Sequence, residues 1–320
     1  MTTTPNAVPA NADLRPTLAI KSQPEDWRVH EHLGWPLSGH GEHRYLYIEK
    51  RNLNTTTVAA ALVKHYSVRP QDIGYAGLKD KHGITRQWFS VTTADDAIDR
   101  GLEAPASDEA GQYFFCLEAD RHTHKLRRGA HDRNDFVIRL RGDLAQQPLA
   151  VDRLAEPFAN YFGPQRFGGS NLAGAKSWLV ERKPRRVTGA RRGLYLSVAR
   201  SHLFNLILAE RERRGVWHCS VPGDVPGDAM GSMWGRGRAS VTDQALAIET
   251  EAVAEEQALC LGLEMAGVAR GLRPLAVTPS NFSYAQHHGE AILDVSFGLP
   301  PGAYATVMLQ QYFELKDQSR

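Results

Sequence analysis

Gly74-Tyr75-Ala76-Gly77-Leu78-Lys79-Asp80-Lys81-His82-Gly83-Ile84-Thr85-Arg86-Gln87-Trp88 sets one carboxylate, Asp80, between two lysines, with a histidine and an arginine close behind. Small residues ahead of it let the backbone pass tightly. Cations within a few ångströms favour the charged form of an acid. A charged aspartate suits a nucleophile or a charge stabiliser and suits a general acid poorly. A solvated turn of alternating charge would show the same spacing, so the stretch alone leaves both readings open.

Outward from this stretch the first part of the chain reads as sheet. Residues 27–31 and 44–49 alternate apolar and polar side chains, and residues 87–93 and 113–118 are rich in aromatic and β-branched types. Phe136, Ile138 and Leu140 alternate with Val137, Arg139 and Arg141, which predicts a half-buried strand with a basic outer face. Asn54 or Thr55 caps a helix through Val58, Ala61, Leu62 and Val63. The character then changes. Residues 154–161, 170–180, 199–214 and 242–269 have helical periodicity, with Gly215 placed as a C-cap and Thr242 or Asp243 as an N-cap. Residues 220–237 are rich in Gly and Pro and read as loop. Alternation returns over 292–297, and 304–313 reads as a terminal helix. The pattern is α+β, with a mostly helical stretch inside a sheet-rich one.

A chain of 320 residues, 42% hydrophobic and 23% charged, is globular and long enough for two domains. Its net charge of +2 does not announce a nucleic-acid partner, but the distribution is uneven. Arg121, Lys125, Arg127, Arg128, Arg133, Arg139 and Arg141 form one basic cluster, and Arg182, Lys183, Arg185, Arg186, Arg191 and Arg192 form another. Acids gather elsewhere, at Glu249, Glu251, Glu255 and Glu256. Such asymmetry fits a polyanion-binding face, and equally a solvated surface. Cys116, Cys219 and Cys260 are far apart and lack metal spacing, which suggests free thiols in a reducing compartment. The histidines lack partners at ligand spacing, so no metal is expected. Residues 1–15 are expected to be a flexible N-terminus without the features of a signal peptide. No apolar run approaches the roughly 20 residues of a membrane span, and a soluble cytoplasmic protein is expected.

The run from Ala76 to Lys81, followed by Thr85 and Gln87-Trp88, resembles the catalytic motif of the TruD family of tRNA pseudouridine synthases. Further pieces fit the same family in order. They are Lys21 with Pro24-Glu25-Asp26-Trp27-Arg28-Val29; Gly41-Glu42-His43 and Asn54-Thr55; Lys125 to Ala130 with Asn134-Asp135-Phe136; Asn160 to Gly168; and Leu299 to Thr306. The resemblance runs from Lys21 to the C-terminus.

It implies a pseudouridine synthase core with a mixed, mainly antiparallel sheet, over residues 16–153 and 277–320. A helical insertion characteristic of the family, residues 154–276, would interrupt it. It implies that Asp80 is a nucleophile acting on a uridine of tRNA, by analogy at position 13 of the D-arm, without cofactor or metal. Lys21 would pair with Asp80. Trp27, Asn134, Phe136 and Tyr304 would line the uridine pocket. The family usually carries Phe where Trp27 and Tyr304 stand; both keep an aromatic face, and base stacking tolerates the identity of the ring. Lys79 and Lys81, pointing away from Asp80, would touch phosphate, together with Arg127, Arg128, Arg166, Arg185, Arg186, Arg191 and Arg192. For Arg166 a structural corner is an equal alternative. tRNA is the expected partner, with no membrane and no obligatory protein partner. Two other readings remain at this point. One is an RNA-binding module without catalysis. The other is an Asp-dependent glycoside hydrolase, which would need a second carboxylate.

Overall fold

The computed structural model describes residues 15–94, 111–142, 151–181 and 187–319. The expected flexible segment up to residue 14, and Arg182, Lys183, Arg185 and Arg186, lie outside the described residues. The chain divides into two compact units. One comprises Arg15–Ala155, Pro279–Gly302 and Phe313–Arg320, and the other Glu156–Thr278 with Ala303–Tyr312. Residues 303–312, and with them Tyr304, therefore group with the helical unit rather than with the sheet that flanks them in sequence.

The sheet unit carries β1 (Thr17–Ile20), β2 (Trp27–His32), β3 (His43–Arg51), α1 (Thr55–Tyr66), β4 (Ile73–Tyr75), β5 (Ile84–Thr92), β6 (Tyr113–His122) and β7 (Arg133–Arg141). The helical unit follows with β8 (Phe158–Ala159), α2 (Pro164–Phe167), α3 (Asn171–Leu179), α4 (Gly189–Arg213), β9 (Met230–Met233), α5 (Asp243–Ala252), α6 (Gln257–Met265), β10 (Gly271–Pro274) and β11 (Ala276–Val277). The chain returns to the sheet with β12 (Ser280–His287) and β13 (Ile292–Leu299), gives α7 (Ala305–Gln310) to the helical unit, and ends in β14 (Glu314–Asp317).

The large sheet has ten strands, with main order β12-β13-β7-β2-β5-β3-β6; β4 pairs with β5, and β1 bridges β7 and β14. Pairing is antiparallel except between β2 and β5 and between β1 and β14. β13 lies against β7 from Ile292↔Arg141 to Leu299↔Asn134, so segments on either side of the long insertion close one sheet. Alternation along the strands feeds two cores. On one face Val58, Leu62 and Tyr66 of α1 cover Leu46, Ile48, Phe89 and Val91. On the other, Tyr45 and Trp88 pack with Leu33, Leu126 and Ala76.

The basic outer face expected of β7 is there, but it is neutralised. Arg139 makes a forked pair with its cross-strand neighbour Asp294, at 2.7 and 2.8 Å. Arg141 makes another with buried Asp26, at 2.9 and 2.6 Å. These two arginines are committed to the fold.

In the helical unit, α4 is the axis. Ala199, Leu203 and Ile207 face Ala175 and Leu179 of α3 and Leu259, Cys260 and Leu263 of α6. Phe204 and Leu208 face Phe162 and Leu275. This is the i, i+4 recurrence of a core-facing helix. Several expectations shift here. Residues 154–161 form a short 3-10 turn and strand β8 rather than a helix. The long helix over 242–269 breaks at Val253, where a 3-10 turn brings Glu256 against Lys176 and His202. Within the Gly/Pro-rich loop, β9 pairs with β10. Gly215 ends α4 as expected, at φ +71°. No helix among the described residues is long and apolar enough to cross a membrane.

Arg211 of α4 is fully buried, and its guanidinium forks onto Asp224 in that loop. Arg211→Leu leaves a buried carboxylate without its cation. It is expected to cost about 3–5 kcal/mol of unfolding free energy, read as a lower urea midpoint; a midpoint shift equivalent to less than about 1 kcal/mol would show the pair to be dispensable.

Candidate active site

Asp80 lies in the loop between β4 and β5, where the backbone takes no regular form. The loop is held by side chains. Thr55, at the start of α1, accepts the Lys79 N–H at 2.9 Å and donates to the Gln87 side-chain oxygen at 2.8 Å. Gln87 in turn donates to the Gly77 carbonyl at 3.1 Å. Thr55 and Gln87 thus brace the loop from its two ends. Thr55 does this in place of capping α1, where no side-chain cap bond forms at Asn54.

The lysine before Asp80 turns inward. Lys79 is buried and pairs with Glu31, which is 1% exposed and accepts the Trp88 N–H at 3.1 Å. The expectation that Lys79 reaches phosphate is therefore corrected: its ammonium is consumed by a buried carboxylate. Lys81 is exposed.

Asp80 is partly open, with its side chain 34% exposed. Lys21 Nζ donates to Oδ1 at 3.3 Å, and the Trp27 indole Nε1 donates to Oδ2 at 3.0 Å. Lys50 Nζ donates to the Asp80 main-chain oxygen at 2.6 Å. Lys21 follows β1 in a left-handed conformation, φ +56°. That turn sends its ammonium to Asp80 and to within 4.4 Å of the Trp27 ring centre. Gly83 has φ +147°, and a Cβ there would stand 2.5 Å from the Trp27 carbonyl oxygen; only glycine lets the motif loop come so near β2. Trp27 itself is 2% exposed and has no open face for a base. Its edge meets Phe136 (ring centres 6.4 Å apart, 73°), and Phe136 stacks on Phe297 at 5.4 Å.

Asn134 stands two residues before Phe136 on β7. Its amide donates to His131 Nε2 at 3.0 Å, while its Oδ1 is buried without a partner. Burial, together with Lys79, holds the His131 pKa below the usual imidazole range. The neutral ring is the form that can accept from Asn134. Tyr304 belongs to the helical unit, where it packs on Phe162 at 6.2 Å.

The basic residues sort unevenly. The 125–130 segment docks on the motif loop through Gly129 N–H to Ala76 O, 2.8 Å, and Arg128 sits 4.0 Å over the Tyr75 ring. Gly74 is needed for this approach: a Cβ there would meet Leu126 O at 2.4 Å. Arg127 and Arg128 are exposed beside the loop that carries Asp80. Arg121 and Lys125 are tied to main-chain oxygens, and Arg133 pairs with Asp135. Arg166 bonds Ser197 and Ser201, joining α2 to α4 as a corner residue. Arg191 and Arg192 are exposed at the start of α4, with Arg192 on Ala266 O at 3.2 Å.

The sequence profile of tRNA pseudouridine synthase D (TruD) matches residues 17–176. The tRNA pseudouridine synthase D of Cellvibrio japonicus is 41% identical over 97% of this chain and 93% of its own length, and that of Methylococcus capsulatus 37% identical over 93% and 92%. The chain belongs to the tRNA pseudouridine synthase D family. A crystal structure of the putative family member from Methanosarcina mazei shares the fold, with TM-score 0.64 over 94% of each chain at 17% identity.

Two buried charges of this family member's site escaped sequence reading, Glu31 and Lys50. Both carried a signal. Glu31 shares the inward face of β2 with Trp27 and Val29, and Lys50 that of β3 with Ile48. A charge at an inward register position needs a partner.

Burial pushes the Lys50 pKa down to about 8, with Asp80 opposing the shift and Lys79 adding to it. Between that value and the ordinary 10.5, the unfolded chain binds a proton that the folded chain lacks, so the Lys50 contribution to stability rises with pH across the window. The scale is about 1.4 kcal/mol per pKa unit. The unfolding free energy of wild type minus that of Lys50→Met should climb between pH 8 and about 10. A flat difference curve in urea denaturation would place the titration elsewhere.

Proposed function

We propose that this protein isomerises uridine to pseudouridine in tRNA, at position 13 of the D-arm, with Asp80 as nucleophile and no cofactor. The observation that carries the reading is the setting of Asp80, a carboxylate left reachable while Lys79, Glu31, Lys50, Lys21 and Trp27 around it are buried.

The reaction breaks the N-glycosidic bond, turns the base and reattaches it through carbon. It needs a charged oxygen at the nucleotide and a pocket that retains the free base. Lys21 holds Asp80 in place through its ion pair. A base must leave its stack before the carboxylate can reach it. Phe136, buried and stacked on Phe297, backs the site from beneath, and the unpartnered Asn134 Oδ1 is an acceptor for the uracil imide or a ribose hydroxyl. The cytoplasm, where tRNA is abundant, is the compartment that suits this activity.

Asp80→Asn is expected to abolish pseudouridine formation, read by mass spectrometry of carbodiimide-treated tRNA, with tRNA affinity within about threefold of wild type. The lost charge is not one that holds phosphate. Residual turnover within tenfold of wild type would sink the nucleophile assignment. Activity should also survive excess chelator once the tRNA is folded.

Phosphate contact falls to Lys81, Arg127, Arg128, Arg191 and Arg192, with Arg185 and Arg186 as further candidates. Each contact released by salt contributes about −0.7 to −0.9 to the slope of log K against log salt. Replacing Arg127 and Arg128 together by Ala should weaken tRNA binding and flatten the slope by about one to two such steps. The modified position should stay the same, because phosphate contacts carry little sequence information. An unchanged slope in filter binding would show these arginines to be a solvated face.

A further inference from the structure

Trp27 was expected to touch the base, yet its ring is 2% exposed and its only polar atom is spent on Asp80. The two donors on that carboxylate differ in kind. Lys21 reaches Oδ1 at 3.3 Å on a flexible four-carbon stem, whereas the indole reaches Oδ2 at 3.0 Å from a ring that cannot turn. β2 pairs the Trp27 backbone with β7, opposite Ile138, and the next residue, Arg28, pairs with Ile84 of β5. Phe136 abuts the ring edge, and Lys21 Nζ stands over its face. Gly83 brings the motif loop against the Trp27 carbonyl oxygen. A carboxylate held through one oxygen by an ammonium alone can rotate about its Cβ–Cγ bond and offer either oxygen. A fixed donor on one oxygen removes that choice.

We propose that Trp27 is a positioning residue for Asp80: its indole N–H, donated to Oδ2, locks the carboxylate so that Oδ1 is the oxygen presented to the nucleotide. The inference rests on Asp80 being the nucleophile. A phenylalanine fills the space of the six-membered ring but has no donor, so this chain fixes the acid with an interaction that a purely aromatic neighbour does not provide. Trp27 then acts on the rate of the chemical step, and leaves tRNA binding alone.

The discriminating variant carries 3-benzothienylalanine at position 27, which keeps the bicyclic shape and π-face and replaces N–H by sulfur. Packing and any stacking survive; the donor does not. The single-turnover rate of pseudouridine formation should fall about 10- to 100-fold, as for loss of one hydrogen bond to a charged group, while KM for tRNA stays within twofold. A rate within twofold of wild type overturns the proposal, and so does a raised KM at unchanged rate, which would make the ring an RNA contact. An independent readout uses protein labelled with 15N at the tryptophan indoles. The Trp27 Nε1–H resonance, assigned by its loss in Trp27→Phe, should move markedly in Asp80→Ala; a resonance that stays in place overturns the proposal even if the benzothienyl protein folds poorly. Asp80→Asn separates the two levels. Full activity there removes the nucleophile reading and this inference with it. An inactive Asp80→Asn beside an unimpaired benzothienyl variant removes this inference alone.

Discussion

The buried pair between Lys79 and Glu31 sets the direction of everything around it. Neither partner reaches solvent to any useful degree, and the Glu31 oxygen not facing Lys79 is taken by the Trp88 N–H. A buried ion pair is poor evidence for stability, because desolvation offsets most of the Coulomb attraction. What it supplies here is orientation. In an irregular loop nothing periodic decides which way a side chain points. With Lys79 tied to Glu31 of β2, the adjacent Asp80 meets Lys21 and Trp27 and keeps part of its side chain in solvent. Thr55 and Gln87 fix the loop backbone on either side, so the ion pair works on a segment already limited in its freedom.

Much of this was legible in the sequence, and the limits have physical causes. The strands showed because alternation survives wherever one face is buried, as in Phe136, Ile138 and Leu140 of β7. The basic outer face of the same strand was misread as free charge. Its partners, Asp294 and Asp26, are 155 and 115 residues away in the chain, and nothing local announces them. The start of α4 was hidden for the opposite reason: Gly189 and Gly193 lower helix propensity in its first turns, and packing further along the helix overrides it. The pairing of β9, inside the Gly/Pro-rich stretch, with β10 beyond it could not be seen, since strands of four residues leave almost no pattern.

The site itself was legible in its types and not in its roles. Asp80 and Lys21 are joined as the family resemblance implied. Lys79 and Trp27 are expected on RNA, and Arg166 on RNA or at a structural corner; in the structure each holds protein, namely a carboxylate, the motif acid, and two serines of α4. Sequence gives a residue's capacity to bond; which partner it meets is decided by register and by burial. For Lys79 the register of β2 against β5 brings Glu31 within reach. For Trp27 it is the close passage allowed by Gly83.

These assignments change how the electrostatics of the unit should be understood. Net charge does not mark this chain as a polyanion binder, and most arginines of its densest basic cluster are spent inside the fold, on Asp26, Asp135, Asp294 and main-chain oxygens. What remains at the surface is local: Arg127 and Arg128, on a segment bonded to the loop of Asp80. Within this cluster the exposed cations stand beside the loop of Asp80, which on the proposed reading brings attraction for phosphate close to the nucleophile. The carboxylate, meanwhile, is kept fixed by donors from β2 and from the turn after β1. Charges held before a substrate arrives need no reorganisation when it does, and on the proposed reading that is what these donors give Asp80.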